Sequence, residues 1–171
     1  MNVRVHATAH ADTFARDRLP ARELWPVMLD AGLSYPERLN AADELLAHDG
    51  PCVHGNEGVW SYDELRARSG RVARVLVEEM GLVPGNRVLL HGPNTPELIA
   101  CWFGILRAGG VVVATMPLLR ARELVKVIAK AQVTHALVEG RLAAEVEEAR
   151  AQQPVLSAVK RFDEVEGTDA G

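Results

Sequence analysis

The sequence predicts an α/β fold, a mainly parallel sheet flanked by helices, and three observations carry that reading. Val88–Leu90 and Val111–Ala114 are short apolar runs without alternation, as strands covered on both faces require. Between them lies a helix-length segment, Pro96 to Ala108, bounded by a start and a stop signal. Beyond them strand-like and helix-like segments keep alternating, which implies helices layered on a sheet whose neighbouring strands run in one direction.

Residues 1–50 read as a helical lead-in punctuated by Pro20, Pro26 and Pro36, with its clearest helix over Leu39–His48. Cys52–His54 and Val59–Ser61 flank Gly55-Asn56-Glu57-Gly58 and predict a hairpin with a four-residue turn. Ser61 is placed to cap the next helix, and Glu64 three residues later completes a capping box. Leu65, Val72, Val75, Leu76 and Met80 supply that helix with an apolar stripe, and Gly81 ends it.

The central unit runs from Gly85 to Leu119. His91-Gly92-Pro93-Asn94 break the first strand. Thr95 is placed as the N-cap of the crossover helix, Pro96 sits where a first-turn proline needs no N–H, and Glu97 puts negative charge near the positive end of the dipole. The stretch Leu98–Leu106 carries no charge, so this helix is expected to be buried on every side, and Gly109-Gly110 stop it. Val111–Ala114, bounded by Pro117, is then expected as a buried strand parallel to the first. A helix over Ala121–Ala131, a strand at His135–Val138, a helix over Leu142–Ala151 and a short strand within Val155–Phe162 follow. The expected division is a lead-in, 1–50, a partial α/β domain, 51–163, and an acidic tail, 164–171, in a stretch from Asp163 that is expected to fray.

With 171 residues, 48% of them hydrophobic, the chain is long enough to bury a core. Its 19 Lys plus Arg stand against 23 Asp plus Glu, net −4, and are scattered, which argues against nucleic acid as a partner. Arg66, Arg68, Arg71 and Arg74 are the densest basic group, at spacings that spread them round a helix as a solvated face. Cys52 and Cys101 are far apart and form no C-x-x-C, so both read as small core residues of a protein in a reducing cytoplasm. No run reaches the roughly 20 apolar residues a membrane span needs, and the first residues do not resemble a signal peptide.

The glycines at 81, 85, 92, 104, 109 and 110 form neither G-x-G-x-x-G nor a Walker loop and read as turn and helix-stop residues. The six histidines contain no H-x-x-H or H-E-x-x-H pair, so no metal site is expected. Glu78-Glu79 and Glu147-Glu148 are sequence neighbours that diverge on a helix, not acid/base dyads. His91 ends a predicted parallel strand, where ligands of such sheets gather, and reads either as a residue of such a site or as a plain loop histidine.

Several motifs, in order and spacing, resemble the opening of the AMP-forming acyl-CoA synthetases, a branch of the adenylate-forming ligases: Trp60-Ser61-Tyr62-Asp63-Glu64-Leu65, Pro84-Gly85-Asn86-Arg87-Val88, Leu106-Arg107-Ala108-Gly109-Gly110 and Met116-Pro117-Leu118. Val113 to Leu124, with Asp12–Asp17 and Tyr35–Asn40, looks most like the benzoate- and 2-aminobenzoate-CoA ligase branch. The resemblance implies the incomplete N-terminal part of a ligase large domain. The complete enzyme would use ATP, magnesium and CoA to turn an aromatic carboxylate into its CoA thioester through an acyl-adenylate. It also implies that Thr115, Met116, Pro117 and Leu118 lie near the CoA entrance; an apolar turn closing over the core is the other reading of those residues. No segment has the Ser/Thr/Gly-rich composition, ending in Lys, of the family's phosphate loop, so no catalytic residue is assigned and no cofactor is expected to bind this chain tightly. The expected partner is the remainder of a ligase, or a second copy through exposed apolar surface. A stand-alone binding or interaction module that keeps the ligase fold is the alternative.

Overall fold

The computed structural model describes residues 10–24, 36 and 38–166. The expected break at Pro26 and the last part of the expected tail, 167–171, lie outside the described residues. The lead-in contributes α1 (Phe14–Asp17), a 3-10 turn (Arg22–Leu24) and α2 (Ala41–Leu45). The last is shorter than the Leu39–His48 expected, because only Ala42 and Leu46 in this segment are buried and they support a single turn. Asn40 caps it by accepting from the Ala42 N–H at 2.9 Å and donates its own amide to the Leu106 carbonyl at 3.1 Å.

Strands β1 (Pro51–Gly55) and β2 (Gly58–Ser61) form the hairpin. Gly55 and Gly58 pair across the ladder, so the turn is the two residues Asn56-Glu57 and not four. Ser61 then opens α3 (Tyr62–Arg74) with the expected capping box: its hydroxyl accepts from the Glu64 N–H at 3.2 Å, and the Glu64 carboxylate accepts from the Ser61 N–H at 2.7 Å. The helix widens into a π turn over Val75–Glu79, which re-phases the stripe so that neighbouring Val75 and Leu76 are both buried. The arginine group on α3 is only partly a solvated face. Arg66 donates to the Leu46 and His48 carbonyls, and Arg68 lies over the Trp60 ring at 4.0 Å.

The sheet consists of β3 (Arg87–His91), β4 (Val111–Thr115), β5 (His135–Val138) and β6 (Ala158–Arg161), all parallel, in the order β4-β3-β5-β6. Strand β3 is central and wholly buried, and its alternate side chains enter opposite layers. Val88 and Leu90 join Val72, Leu76 and Ile105 under α3 and α4 (Pro96–Arg107). Leu89 joins Leu124, Ile128 and Val146 under α5 (Ala121–Ala131) and α6 (Ala143–Gln152). The run Val111–Ala114 is a parallel strand as expected but not a buried one: β4 is an edge strand, its valines half-buried and Ala114 exposed. The expected frayed tail is corrected as well. Its start belongs to α7 (Phe162–Glu166), where Phe162 and Val165 are buried in the α3/α4 layer and hold the helix down.

Helix α4 begins as predicted, with the Thr95 hydroxyl accepting from the Leu98 N–H at 3.4 Å and Pro96 in the first turn. A Cβ at Gly104 would come 2.5 Å from Val72, so the glycine is what lets α4 pack directly against α3. Ala100 and Phe103 meet the hairpin, and Cys101 and Ile105 face the sheet layer. One side stays open, contrary to the expectation of all-round burial: Trp102 is 40% exposed.

At the amino end of β3 the buried Arg87 gathers four partners. Its guanidinium donates to the Asp12 carboxylate, to the Gly85 carbonyl at 2.9 Å, to Ala131 at 3.0 Å and to Gln132 at 2.8 Å. The last two are carbonyls at the end of α5, which is closed by Gln132 in the left-handed region at φ 50°. Burial pushes the Asp12 carboxyl up, but hydrogen bonds from Arg87, the Phe14 N–H and Asn86 outweigh it and leave it below the usual carboxylate value. Replacing Arg87 by Met is expected to cost about 3 kcal/mol, measured by urea denaturation, because it leaves three carbonyls without this donor and the Asp12 carboxylate without its opposite charge. Unchanged stability in R87M would show that the clamp is dispensable.

Candidate functional site

In an open parallel sheet the chemistry belongs outside the carboxyl ends of the strands, at the point where successive connections leave in opposite directions. Here the chain goes from β3 to β4 on one side and then returns to place β5 on the other, so that point lies between His91 and Val138. It is filled. A Cβ at Gly92 would come 2.7 Å from the Phe162 ring and 3.3 Å from Glu139 Cβ, and the Glu139 N–H donates to the His91 carbonyl at 2.9 Å. Phe162 of α7 therefore plugs the crevice that a nucleotide-binding sheet of this kind would leave open.

The carboxyl end of β4 differs. Thr115 is half-buried, Met116 is 62% exposed, Pro117 is half-buried and Leu118 is 72% exposed, so neither long apolar side chain closes over the core. Only Leu119, after the turn, packs against the layer under α5 and α6.

His91 is no loop histidine. It is the last residue of β3, fully buried, with Nδ1 2.9 Å from the Thr115 hydroxyl on the adjacent strand and Nε2 without a partner. Burial lowers its pKa; Glu145 acts against that shift and Arg120 with it. His135, at the start of β5, is also buried, but both its nitrogens are engaged, by Thr134 at 2.8 Å and by the Met80 carbonyl at 3.0 Å. Burial lowers its pKa too, against the Met80 bond. The sequence singled out His91 by its place at a strand end. It gave no sign of Thr115 as partner, because that pairing depends on the register of two strands 24 residues apart.

Other groups of chemical interest are structural. Cys101 is buried, and burial pushes the Cys52 thiol up, away from a reactive thiolate. Among the described residues no three His, Cys, Asp or Glu side chains come together as a metal site. An open depression of about 710 Å³, lined by Asp12, Phe14, Arg18, Arg87 and Lys130, lies at the amino end of β3, away from the strand ends where chemistry is expected. Its buried arginine is already committed to Asp12 and three carbonyls. No described helix is long and apolar enough to cross a membrane.

Comparison with known proteins bears on the rest. The profile of the family described as AMP-binding enzyme matches residues 43–170. The chain belongs to the AMP-binding enzyme family. Among curated proteins it is 42% identical over 103 residues to a salicyl-AMP ligase / salicyl-S-ArCP synthetase of Mycobacterium tuberculosis, over 60% of this chain and 17% of that protein. It is 37% identical over 95 residues to a long-chain-fatty-acid–CoA ligase of Salmonella typhimurium, over 52% of this chain and 17% of that one. The chain thus spans about a sixth of the length of these AMP-binding relatives. Two solved structures share the fold. An anthranilate CoA ligase in complex with anthranoyl-AMP superposes with a TM-score of 0.71 at 18% identity, over 82% of this chain and 29% of that one. A benzoate CoA ligase from Burkholderia xenovorans gives 0.67 at 24% identity, over 77% and 29%. The AMP-binding relatives are adenylate-forming ligases, as the sequence motifs imply.

The two buried histidines generate a pH prediction. Their folded pKa values lie below the usual value near 6.5, so below about pH 6.5 the unfolded chain binds protons that the folded chain resists. The stability they permit is fully present above that pH and is lost as pH falls from there toward the lowered folded pKa values. The urea midpoint should therefore hold steady from pH 8 to 7 and fall between about 6.5 and 5. A midpoint flat across that lower range would contradict the burial of neutral imidazoles.

Proposed function

We propose that this chain forms the opening part of the large domain of an aryl-acid-activating ligase of the AMP-binding family. In the assembled enzyme an aromatic carboxylate would react with ATP to give an acyl-adenylate and pyrophosphate, and the acyl group would then pass to the thiol of CoA. The observation that carries the aromatic class is the 42% identity to a ligase named for salicylate. The fold shared with benzoate and anthranilate CoA ligases is consistent with it. Thr115, Met116, Pro117 and Leu118 are the residues proposed to line the thiol entrance, since Met116 and Leu118 are large, apolar, exposed and free of any packing duty.

The chain is proposed to be inactive alone. Stabilising the charge that builds up during adenylation takes a cradle of backbone N–H groups, a metal or a lysine, and a lid that excludes water. These 171 residues contain no Ser/Thr/Gly-rich loop ending in Lys to begin that machinery, and Phe162 fills the crevice at the switch point. The edge strand β4 is proposed as the surface that meets the remainder of a ligase or a second copy. Its five residues, Val111–Thr115, carry no charge, whereas the opposite edge β6 ends in Lys160 and Arg161, which discourage pairing.

Pyrophosphate exchange into ATP tests this reading, with salicylate, benzoate, 2-aminobenzoate and acetate as substrates. Background exchange is expected from the chain alone. Exchange above background that a mutation within the chain abolishes would overturn the proposal of inactivity. Light scattering should show self-association at tens of micromolar; a stable monomer that fails to bind a hydrophobic dye would favour the other reading, a self-sufficient binding module.

A further inference from the structure

The turn at the carboxyl end of β4 has little of its own to hold it in place. Met116 and Leu118 are exposed, Pro117 has no N–H, and the one internal backbone bond runs from the Leu119 N–H to the Met116 carbonyl at 3.1 Å. Its position is therefore set at its two ends. At the first, Thr115 is hydrogen-bonded to His91 at 2.9 Å. At the second, the Ala121 N–H that opens α5 donates to Glu145 of α6 at 2.8 Å, and Arg120 donates to the other oxygen of the same carboxylate at 3.4 Å.

A histidine is a costly choice for the first end. Its neighbours on β3, Val88, Leu89 and Leu90, are apolar and fully buried, and a leucine at position 91 would avoid burying an imidazole with one nitrogen unpaired. The hydroxyl of Thr115 also lies 3.5 Å from the Leu90 carbonyl. Burial of a bare acceptor is cheaper than burial of an orphan N–H. The arrangement that follows has the His91 Nδ1–H donating to Thr115, Thr115 donating onward to Leu90, and Nε2 as a bare lone pair. Threonine is then fixed in one rotamer by a donor and an acceptor at once, which leucine at position 91 cannot do.

We propose that His91 is a positioning residue that clasps the Thr115–Leu118 turn through Thr115, with Glu145 as the second anchor. The purpose assigned to the clasp, holding the turn ready for a thiol-bearing substrate, rests on the reading given under Proposed function; the clasp itself does not. Charged and polar groups from three neighbouring elements face His91. Glu145 of α6 and Arg120 at the start of α5 act on the ring, and the Glu139 N–H after β5 holds its backbone carbonyl. A proton on Nε2 turns the bare lone pair into an N–H in need of an acceptor. Among the described residues no acceptor stands within hydrogen-bond distance of Nε2, so acid works against the His91 end of the turn.

Amide hydrogen exchange followed by NMR on the full chain tests the clasp without any ligand, with Leu119 as the protected reporter and Met116 and Leu118 beside it. His91→Leu and Thr115→Val should each speed exchange by up to about tenfold, the loss of one hydrogen bond. The double variant should go no further than either single one, and Thr115→Ser should retain wild-type protection. In the wild-type chain protection should also fall with pH in step with the His91 resonances, a profile that His91→Leu abolishes. Unchanged exchange in Thr115→Val, or additive effects in the double variant, would overturn the proposal. Should His91→Leu fail to fold, the Val and Ser variants at 115 decide the matter together with the wild-type pH profile. Free pantetheine is the separate probe of the thiol reading: a chain that keeps the clasp but shows no shift of the Met116 methyl signal loses that reading alone.

Discussion

A buried guanidinium has to find acceptors for its five N–H groups, and that requirement at Arg87 ties the lower end of this molecule together. One side chain joins the lead-in through Asp12, the loop before the central strand through Gly85, and the end of α5 through Ala131 and Gln132. The strand it anchors is paired along its length with β4 and β5, and the register of those ladders brings His91 beside Thr115 at the other end. The left-handed Gln132, unusual for a residue with a Cβ, is tolerated where its carbonyl accepts from the same guanidinium.

The two ends of the sheet thus have different characters. The amino end is locked by charge-assisted hydrogen bonds, and the arginine in its depression is already engaged in holding the fold. The carboxyl end is divided between a plugged crevice and an open turn. Phe162 fills the space beside Gly92, while Met116 and Leu118 stand in solvent next to an uncharged edge strand. Exposed apolar residues scattered singly need no explanation, but here the turn, the uncharged edge strand and Trp102 of α4 leave apolar surface open at three places.

Local chemistry was legible in the sequence wherever neighbours along the chain are also neighbours in space. The Ser61–Glu64 capping box, the Thr95 cap with Pro96 behind it, and the strand and helix over His135–Val138 and Ala121–Ala131 all stand where they were expected. The misses have a common cause. Apolar composition says that a segment is suited to burial but not whether anything is there to bury it. Val111–Ala114 therefore passed for an interior strand although it is an edge, and α4 for a fully enclosed helix although Trp102 is open. The start of the acidic tail erred in the other direction, because two residues, Phe162 and Val165, outweigh its charge by reaching the core.

The sequence by itself determined the class of fold, most of the elements and the family, since helix signals, strand runs and short motifs are properties of residues close together along the chain. Only the tertiary structure decided which strand is central, what fills the crevice beside it, and that a histidine and a threonine 24 residues apart share a hydrogen bond. Those facts depend on strand order and register. Both are set by packing two apolar layers on opposite faces of one sheet, and no local pattern in the chain records the outcome.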